Sequence, residues 1–255
     1  MPSYRITVAY DGTDFVGWQR QAAGVSIQGV IEEALRELDG RDVTVVGAGR
    51  TDAGVHALAQ VASFTLERAR PADTVVRALN ARLPETVRVL AAEEVPPSFH
   101  PQFDAHAKRY RYRMWNGDVL PPFERQYAWH VPGALDVEAM DRAARLLEGE
   151  HDFAAFQSSG SDVETTVRRV FESTIRTESA ILVYEIVGNG FLRHMVRAIA
   201  GSLVEVGRGR RPAEWIAAVL QSRERGCAGR SAPARGLFLV GIDYDVHSGF
   251  TTKDT

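Results

Sequence analysis

Two side chains of opposite charge, Arg50 and Asp52, stand close together in the stretch Gly47-Ala48-Gly49-Arg50-Thr51-Asp52-Ala53-Gly54-Val55-His56. A carboxylate can act as nucleophile or base, and a guanidinium grips anions through a fixed fork of donors. Glycines at 47, 49 and 54 allow sharp turns and a close approach of backbone to a ligand. Charged residues on such a frame suit a reaction centre. The same residue types are also ordinary turn formers, and an Asp there commonly caps a backbone amide. A dinucleotide loop is disfavoured: Gly47-Ala48-Gly49 begins that fingerprint, but its third glycine position falls on Asp52, whose charge opposes a pyrophosphate. Asp52 and His56 alone offer too few ligands for a metal.

The elements around the loop must hold it. Val43 to Val46 reads as a buried strand leading in, and Gln60 to Leu66 as a strand leading out. Upstream, Tyr4 to Tyr10 alternates as a strand and ends in the turn Asp11-Gly12-Thr13-Asp14. Trp18 follows, with a core position the simpler expectation than an exposed one. Ser26 caps a helix with apolar residues at 27, 30, 31, 34, 35 and 38, stopped by Gly40. A second helix begins at Asp73, and Thr86 to Val95 reads as a strand. Strand, helix, strand, strand, helix, strand is a split β-α-β order, and the prolines at 96, 97 and 101 mark a boundary. Residues 1–103 and 104–255 are therefore expected to form two halves.

The second half opens on Ala105 to Trp115. As a strand it sets Tyr110, Tyr112 and Met114 on one face and Arg109, Arg111 and Arg113 on the other. An aromatic stripe usually packs in a core and an arginine stripe usually faces solvent, although one tyrosine at a cleft edge suffices to stack a base. A helix starts at Asp136, a polar loop spans 158–162, and strands run over 166–177 and 180–188. A helix is expected from Phe191 to about Val206, with Arg193 and Arg197 sharing a face near its start and His194 beside them. Pro212 opens a last helix, and Leu237 to Tyr244 forms the final strand, its Tyr244-Asp245 echoing Tyr10-Asp11.

Composition bounds the function. No apolar run reaches membrane-spanning length, and Met1-Pro2-Ser3-Tyr4 leads straight into a strand, so a cytoplasmic protein is expected. One cysteine, Cys227, leaves no internal disulfide and no cysteine-rich zinc site. The net charge of −3 means that any nucleic-acid surface must be a local gathering of basic groups. Of 30 basic residues only Lys108 and Lys253 are lysines; arginine excess suits RNA but also follows from a GC-rich coding sequence.

The string GAGRTDAGVHA, with YDGTDFVGWQRQ before it and AKRYRYRMWN, NGFLRHMVRAIAGSLVEVG and GLFLVGIDY after it, resembles the tRNA pseudouridine synthase A family over nearly the whole chain. The resemblance implies an α+β pseudouridine synthase fold: two ferredoxin-like (RRM-like) halves whose antiparallel sheets meet at a central cleft. It implies isomerisation of uridine to pseudouridine at the end of the anticodon loop and the adjacent 3′ stem of tRNA. The implied partners are tRNA and a second copy of the chain, with no cofactor and no metal. Asp52 would be the catalytic carboxylate, Arg197 its cationic partner and Tyr110 the tyrosine that contacts the uridine. Arg50, two residues from Asp52, would help extrude the base or hold a phosphate.

That chemistry makes sense of a lone carboxylate. Glycosidases pair two carboxylates because water must be delivered to the sugar. In pseudouridine formation the detached base is itself the acceptor, so one carboxylate can suffice if water is excluded. Attack at sugar C1′, attack at base C6 and removal of a sugar proton all remain open for Asp52. Arg197 beside Tyr110 would favour an ionised phenol able to help remove the C5 hydrogen. A silent RNA-binding module and a nucleoside hydrolase are the rival readings; the first has little use for Asp52, and the second lacks its calcium-binding aspartate cluster.

Overall fold

The computed structural model describes residues 1–158, 160 and 163–244. Ser159, Ser161 and Asp162 of the polar loop, and Asp245 of the Tyr-Asp echo, lie outside the described residues.

Among the described residues, ten strands and five α-helices run in the order β1 (Ser3–Tyr10), α1 (Ile27–Asp39), β2 (Val46–Gly47), β3 (His56–Thr65), α2 (Ala72–Asn80), β4 (Val87–Val95), β5 (Ala107–Trp115), β6 (Trp129–His130), α3 (Val137–Arg145), β7 (Gly149–Asp152), β8 (Val167–Glu178), β9 (Ile181–Gly188), α4 (Met195–Gly207), α5 (Trp215–Ser222) and β10 (Leu237–Asp243). The architecture is α+β. The main path of the sheet is β4-β1-β3-β10-β5-β9-β8-β7, with β2 added to β3 and β6 to β5.

The strands form one continuous sheet rather than two separate ones. β10, last in the chain, returns to the middle, where it pairs antiparallel with β5 and lies parallel to β3 through Phe238 against His56 and Leu239 against Ala57. The loop carrying Arg50 and Asp52 ends where β3 begins, so it sits at this seam. Hydrophobic burial fixes the register: β1 alternates buried and part-exposed residues, and α1 buries Ile27, Ile31, Ala34 and Leu35. Ser26 accepts from the Gly29 amide and Gly40 closes α1 at φ 77°, as the capping residues require. Trp18 is a core residue, only 2% exposed.

Four elements differ from the sequence reading for identifiable reasons. The expected strand over 43–46 shrinks to Val46–Gly47, because side chains of α1 take the Val45 backbone: Glu32 accepts its N–H at 3.2 Å and Gln28 donates to its carbonyl at 3.0 Å. The helix expected from Phe191 begins only at Met195, because His194 adopts the left-handed conformation at φ 61° and breaks the preceding turn. Arg193 is therefore off the helix and shares no helical face with Arg197. The short strands β6 and β7 carry too few apolar residues to signal themselves.

Candidate active site

The loop before β3 is held from below by side chains of other strands. Lys108 of β5 donates to the Ala48 carbonyl at 2.7 Å, Gln60 of β3 donates to the Gly49 carbonyl at 2.8 Å, and the Tyr10 and Thr51 hydroxyls bond at 2.7 Å. From the side comes the Gly12–Trp18 turn. The Trp18 amide donates to the Thr51 carbonyl at 3.0 Å, and Gly17 forms an isolated antiparallel bridge with Asp52. Gly17 is needed there: its φ is +107°, and a Cβ would lie 2.6 Å from the Thr51 carbonyl oxygen. The two motifs that flank α1 in sequence thus build one platform.

Asp52 points away from its own loop. Its Oδ2 accepts from Arg197 Nη1 at 3.1 Å and lies 3.3 Å from His194 Nε2. No hydrogen bond reaches Oδ1 among the described residues. An amide-capping role is not what this carboxylate does. Its side chain is 27% exposed and that of Arg197 16%, so the pair is partly dry yet reachable. Arg197 lies in the first turn of α4 and uses a second donor, Nε, to hold the Ala232 carbonyl at 2.9 Å. The carbonyl of Arg197 in turn accepts from the Ala232 amide. This tie pins the segment before β10 along α4, an approach so close that a Cβ on Gly201 would meet the Arg230 carbonyl oxygen at 1.8 Å.

Tyr110 sits in β5 beside β10 and β9, 7% exposed, with its ring edge-on to Phe191 at 5.1 Å. Burial pushes its hydroxyl well above the usual phenol range, and the charges of Tyr10 and Asp52 push it further. Asp52 is thus within electrostatic reach of Tyr110. The expectation that Arg197 would favour an ionised Tyr110 is corrected: the field of Arg197 acts on Tyr112, where burial still dominates and raises the hydroxyl. Arg50 is exposed, and no hydrogen bond or ion pair holds it among the described residues. The structure therefore brings Asp52, Arg197 and Tyr110 together and leaves Arg50 reaching outward from the same loop.

His194 is the member that sequence reasoning noted without using. Its Nε2 faces Asp52 and its Nδ1 lies 2.8 Å from Ser158 Oγ. Burial lowers its pKa below the usual imidazole value; Asp52 opposes that, and Arg197, Arg193 and Arg225 reinforce it. The signal available in sequence was its spacing, three residues before Arg197.

His56, by contrast, belongs to the core. It is 1% exposed, stacks on Phe238 at 4.7 Å, and meets Asp11, the Gly12 amide and the carbonyls of Gln126 and Arg235. It shares no ligand position with Asp52. Among the described residues, no group of three or more His, Cys, Asp or Glu side chains is arranged to hold a metal. The arginine stripe of β5 is not a free basic face either. Arg109 and Arg111 pair with buried Glu185, and Arg113 pairs with Glu124 at 3.1 Å. Burial pushes the Glu185 carboxyl up, but Arg109 and Arg111 more than offset this and hold it below the usual range.

A lone carboxylate clamped by an arginine, at the seam of an α+β sheet and beside a buried tyrosine, fits the pseudouridine synthase fold. The family described as tRNA pseudouridine synthase matches residues 6–104 and 143–245, and the chain belongs to it. It is similar to proteins named tRNA pseudouridine synthase A: 46% identical over 96% of this chain and all of the protein from Pelobacter propionicus, and 48% identical over 96% and all of that from Solibacter usitatus. The protein of that name from Solidesulfovibrio magneticus is 50% identical, covering 96% of this chain and 92% of its own. A solved Cbf5-Nop10-Gar1 complex aligns over 92% of this chain and 48% of its own chain at 13% identity and a TM-score of 0.36, too distant for comparison of residues.

Proposed function

We propose that this chain isomerises uridine to pseudouridine in tRNA, with Asp52 as the carboxylate that acts on the target nucleotide. The reaction breaks the N1–C1′ bond, turns the base and forms C5–C1′; the C5 hydrogen leaves as a proton and N1 gains one. No electrons enter or leave. The observation that carries the reading is the anchoring of Asp52 through Oδ2 alone, which leaves Oδ1 to meet a substrate.

Arg197 orients the carboxylate, Tyr110 packs against the uracil, and Arg50 takes the space of the extruded base or a backbone phosphate. Extrusion costs a few kcal/mol, and stacking on one aromatic side chain returns roughly 1–3 kcal/mol. The finer reading follows the family resemblance: targets at the end of the anticodon loop and the adjacent 3′ stem, tRNA spanning a homodimer, and a cytoplasmic enzyme that needs no cofactor. In it the halves 1–103 and 104–255 each supply one side of the site, Asp52 and Arg50 from the first, Tyr110 and Arg197 from the second. No helix of the described residues is long and apolar enough to cross a membrane.

The deciding experiment is Asp52→Asn, nearly isosteric and uncharged, assayed by tritium release from tRNA carrying [5-³H]uridine. Turnover should fall below detection while tRNA binding and the melting temperature are retained. Wild-type-like release from this variant would end the proposal.

A further inference from the structure

We infer that His194 is a positioning residue of the reaction centre, donating from Nε2 to Oδ2 of Asp52 so that, with Arg197, it fixes Oδ1 as the oxygen presented to the substrate. The inference rests on the reading of Asp52 given above. The imidazole Nε2 lies 3.3 Å from Oδ2, and since a carboxylate only accepts, the inferred hydrogen bond assigns the proton to Nε2. In a neutral ring the other nitrogen is then an acceptor, and the Ser158 hydroxyl stands 2.8 Å from it, placed to donate. The relay runs Ser158 Oγ–H to Nδ1, then Nε2–H to Asp52. Every polar atom of the imidazole has a partner, which fixes both tautomer and ring orientation.

The backbone supports this assignment. His194 is one of three non-glycine residues with positive φ among those described, at φ 61° and ψ 4°. Such conformations are costly and persist where the surroundings over-determine them. Here the left-handed residue ends the turn through Phe191 and starts α4, which brings His194 and Arg197 to the same carboxylate oxygen from one element. A regular helix from Phe191 would present residues 194 and 197 along one helical face instead. The groups whose charge acts on this imidazole are Asp52, Arg197, Arg193 and Arg225, and burial together with the three arginines keeps it neutral at neutral pH.

Two variants separate positioning from mere packing. His194→Asn tolerates the left-handed backbone but is too short to reach Asp52; His194→Gln places an amide N–H near the lost Nε2. Single-turnover tritium release should fall roughly ten- to a hundredfold in His194→Asn, the size of one hydrogen bond to a charged group, and recover most of that loss in His194→Gln. tRNA affinity should hold in both. In acid, below the ordinary imidazole range, the wild-type rate should drop as the imidazole gains a second proton and draws charge from Asp52, so the ratio of wild type to His194→Gln should shrink as pH falls. Equal rates for His194→Asn and wild type, a Gln variant that folds yet is as slow as Asn, or a pH-independent ratio would each overturn the inference. If His194→Asn does not fold, Ser158→Ala tests the same relay: it should slow the reaction severalfold, and an unchanged rate counts against the relay. Asp52→Asn run alongside keeps the two ideas apart. Activity there removes the reading of the site; inactivity there with a wild-type His194→Asn removes only the role of His194.

Discussion

Arg197→Lys keeps the charge and removes the fork. In the wild-type chain two different nitrogens of one guanidinium serve two acceptors, Nη1 to Asp52 Oδ2 at 3.1 Å and Nε to the Ala232 carbonyl at 2.9 Å. A lysine has one nitrogen on a flexible stem and cannot hold both positions. The long-range attraction to Asp52 survives: at about 4 Å it is worth roughly 4 kcal/mol for a pair near a protein surface. What disappears is one charge-assisted hydrogen bond and the tie to the segment before β10, about 1.5–3 kcal/mol. At about 1.4 kcal/mol per decade of rate, Arg197→Lys should lose roughly 10- to 150-fold. Arg197→Met removes the charge as well and should lose more than Lys does. Affinity should change little, because Arg197 faces Asp52 and is only 16% exposed. Single-turnover tritium release at saturating enzyme reads the rate, and filter binding reads the affinity. A lysine variant as fast as wild type would show that the fork is dispensable. A methionine variant that loses affinity at an unchanged rate would make Arg197 an RNA contact and refute the argument.

Tyr110→Phe should bind tRNA normally and, because burial holds the phenol protonated, its deficit should be the same at pH 6 and pH 8.5; a wild-type advantage that grows tenfold per pH unit would restore phenolate as the base. Lys108 should make the free protein's stability depend on alkali. Burial, then the charge of Arg168, lowers its pKa to about 8 from 10.5. A depressed amine pKa means that the unfolded chain holds the proton more strongly, so stability is lost as pH falls through the folded value and regained toward 10.5. Urea unfolding of wild type and Lys108→Met should therefore diverge in favour of wild type by roughly 2 kcal/mol between pH 7.5 and pH 10; a pH-independent difference would show that the lysine is not desolvated.

The architecture was legible wherever apolar periodicity or a cap was strong: α1, with its Ser26 cap and Gly40 stop, falls where its residues place it. The Asp52 loop was legible from its residues only as a candidate, since turn chemistry explains an Asp between glycines equally well; the resemblance assigned Asp52 its role and added Arg197, 145 positions away and now 3.1 Å from it. Two features were not legible, for different reasons. The Val45 backbone is satisfied by Gln28 and Glu32 rather than by a strand, and polar side chains on a helix carry no mark of such long-range duty. His194 fits an uninterrupted helical pattern from 191 to 206, so nothing local announces a left-handed residue; tertiary contacts at both ring nitrogens select it over the helix the periodicity favours.

How an acidic chain could present a basic site follows from what each cation is bonded to. Many arginines are matched by carboxylates: Arg5 with Glu93, Arg82 with Glu37, Arg113 with Glu124, and Arg109 and Arg111 with Glu185. Other cations have neutral oxygens as hydrogen-bond partners instead. Lys108 is held by the Ala48 carbonyl, Arg168 by the carbonyls of Thr165 and Val167, and Arg225 by the Gly229 carbonyl and the Ser231 hydroxyl. A carbonyl fixes a cation in place without cancelling its charge, so these groups keep their field while losing their freedom. Burial makes that arrangement costly, and both Lys108 and Arg168 are shifted toward the neutral form by it. A polyanion entering the site would supply the missing negative charge and reverse those shifts. The net charge of −3 and a local gathering of basic groups are then compatible, because much of the acid is paired with arginines elsewhere in the chain.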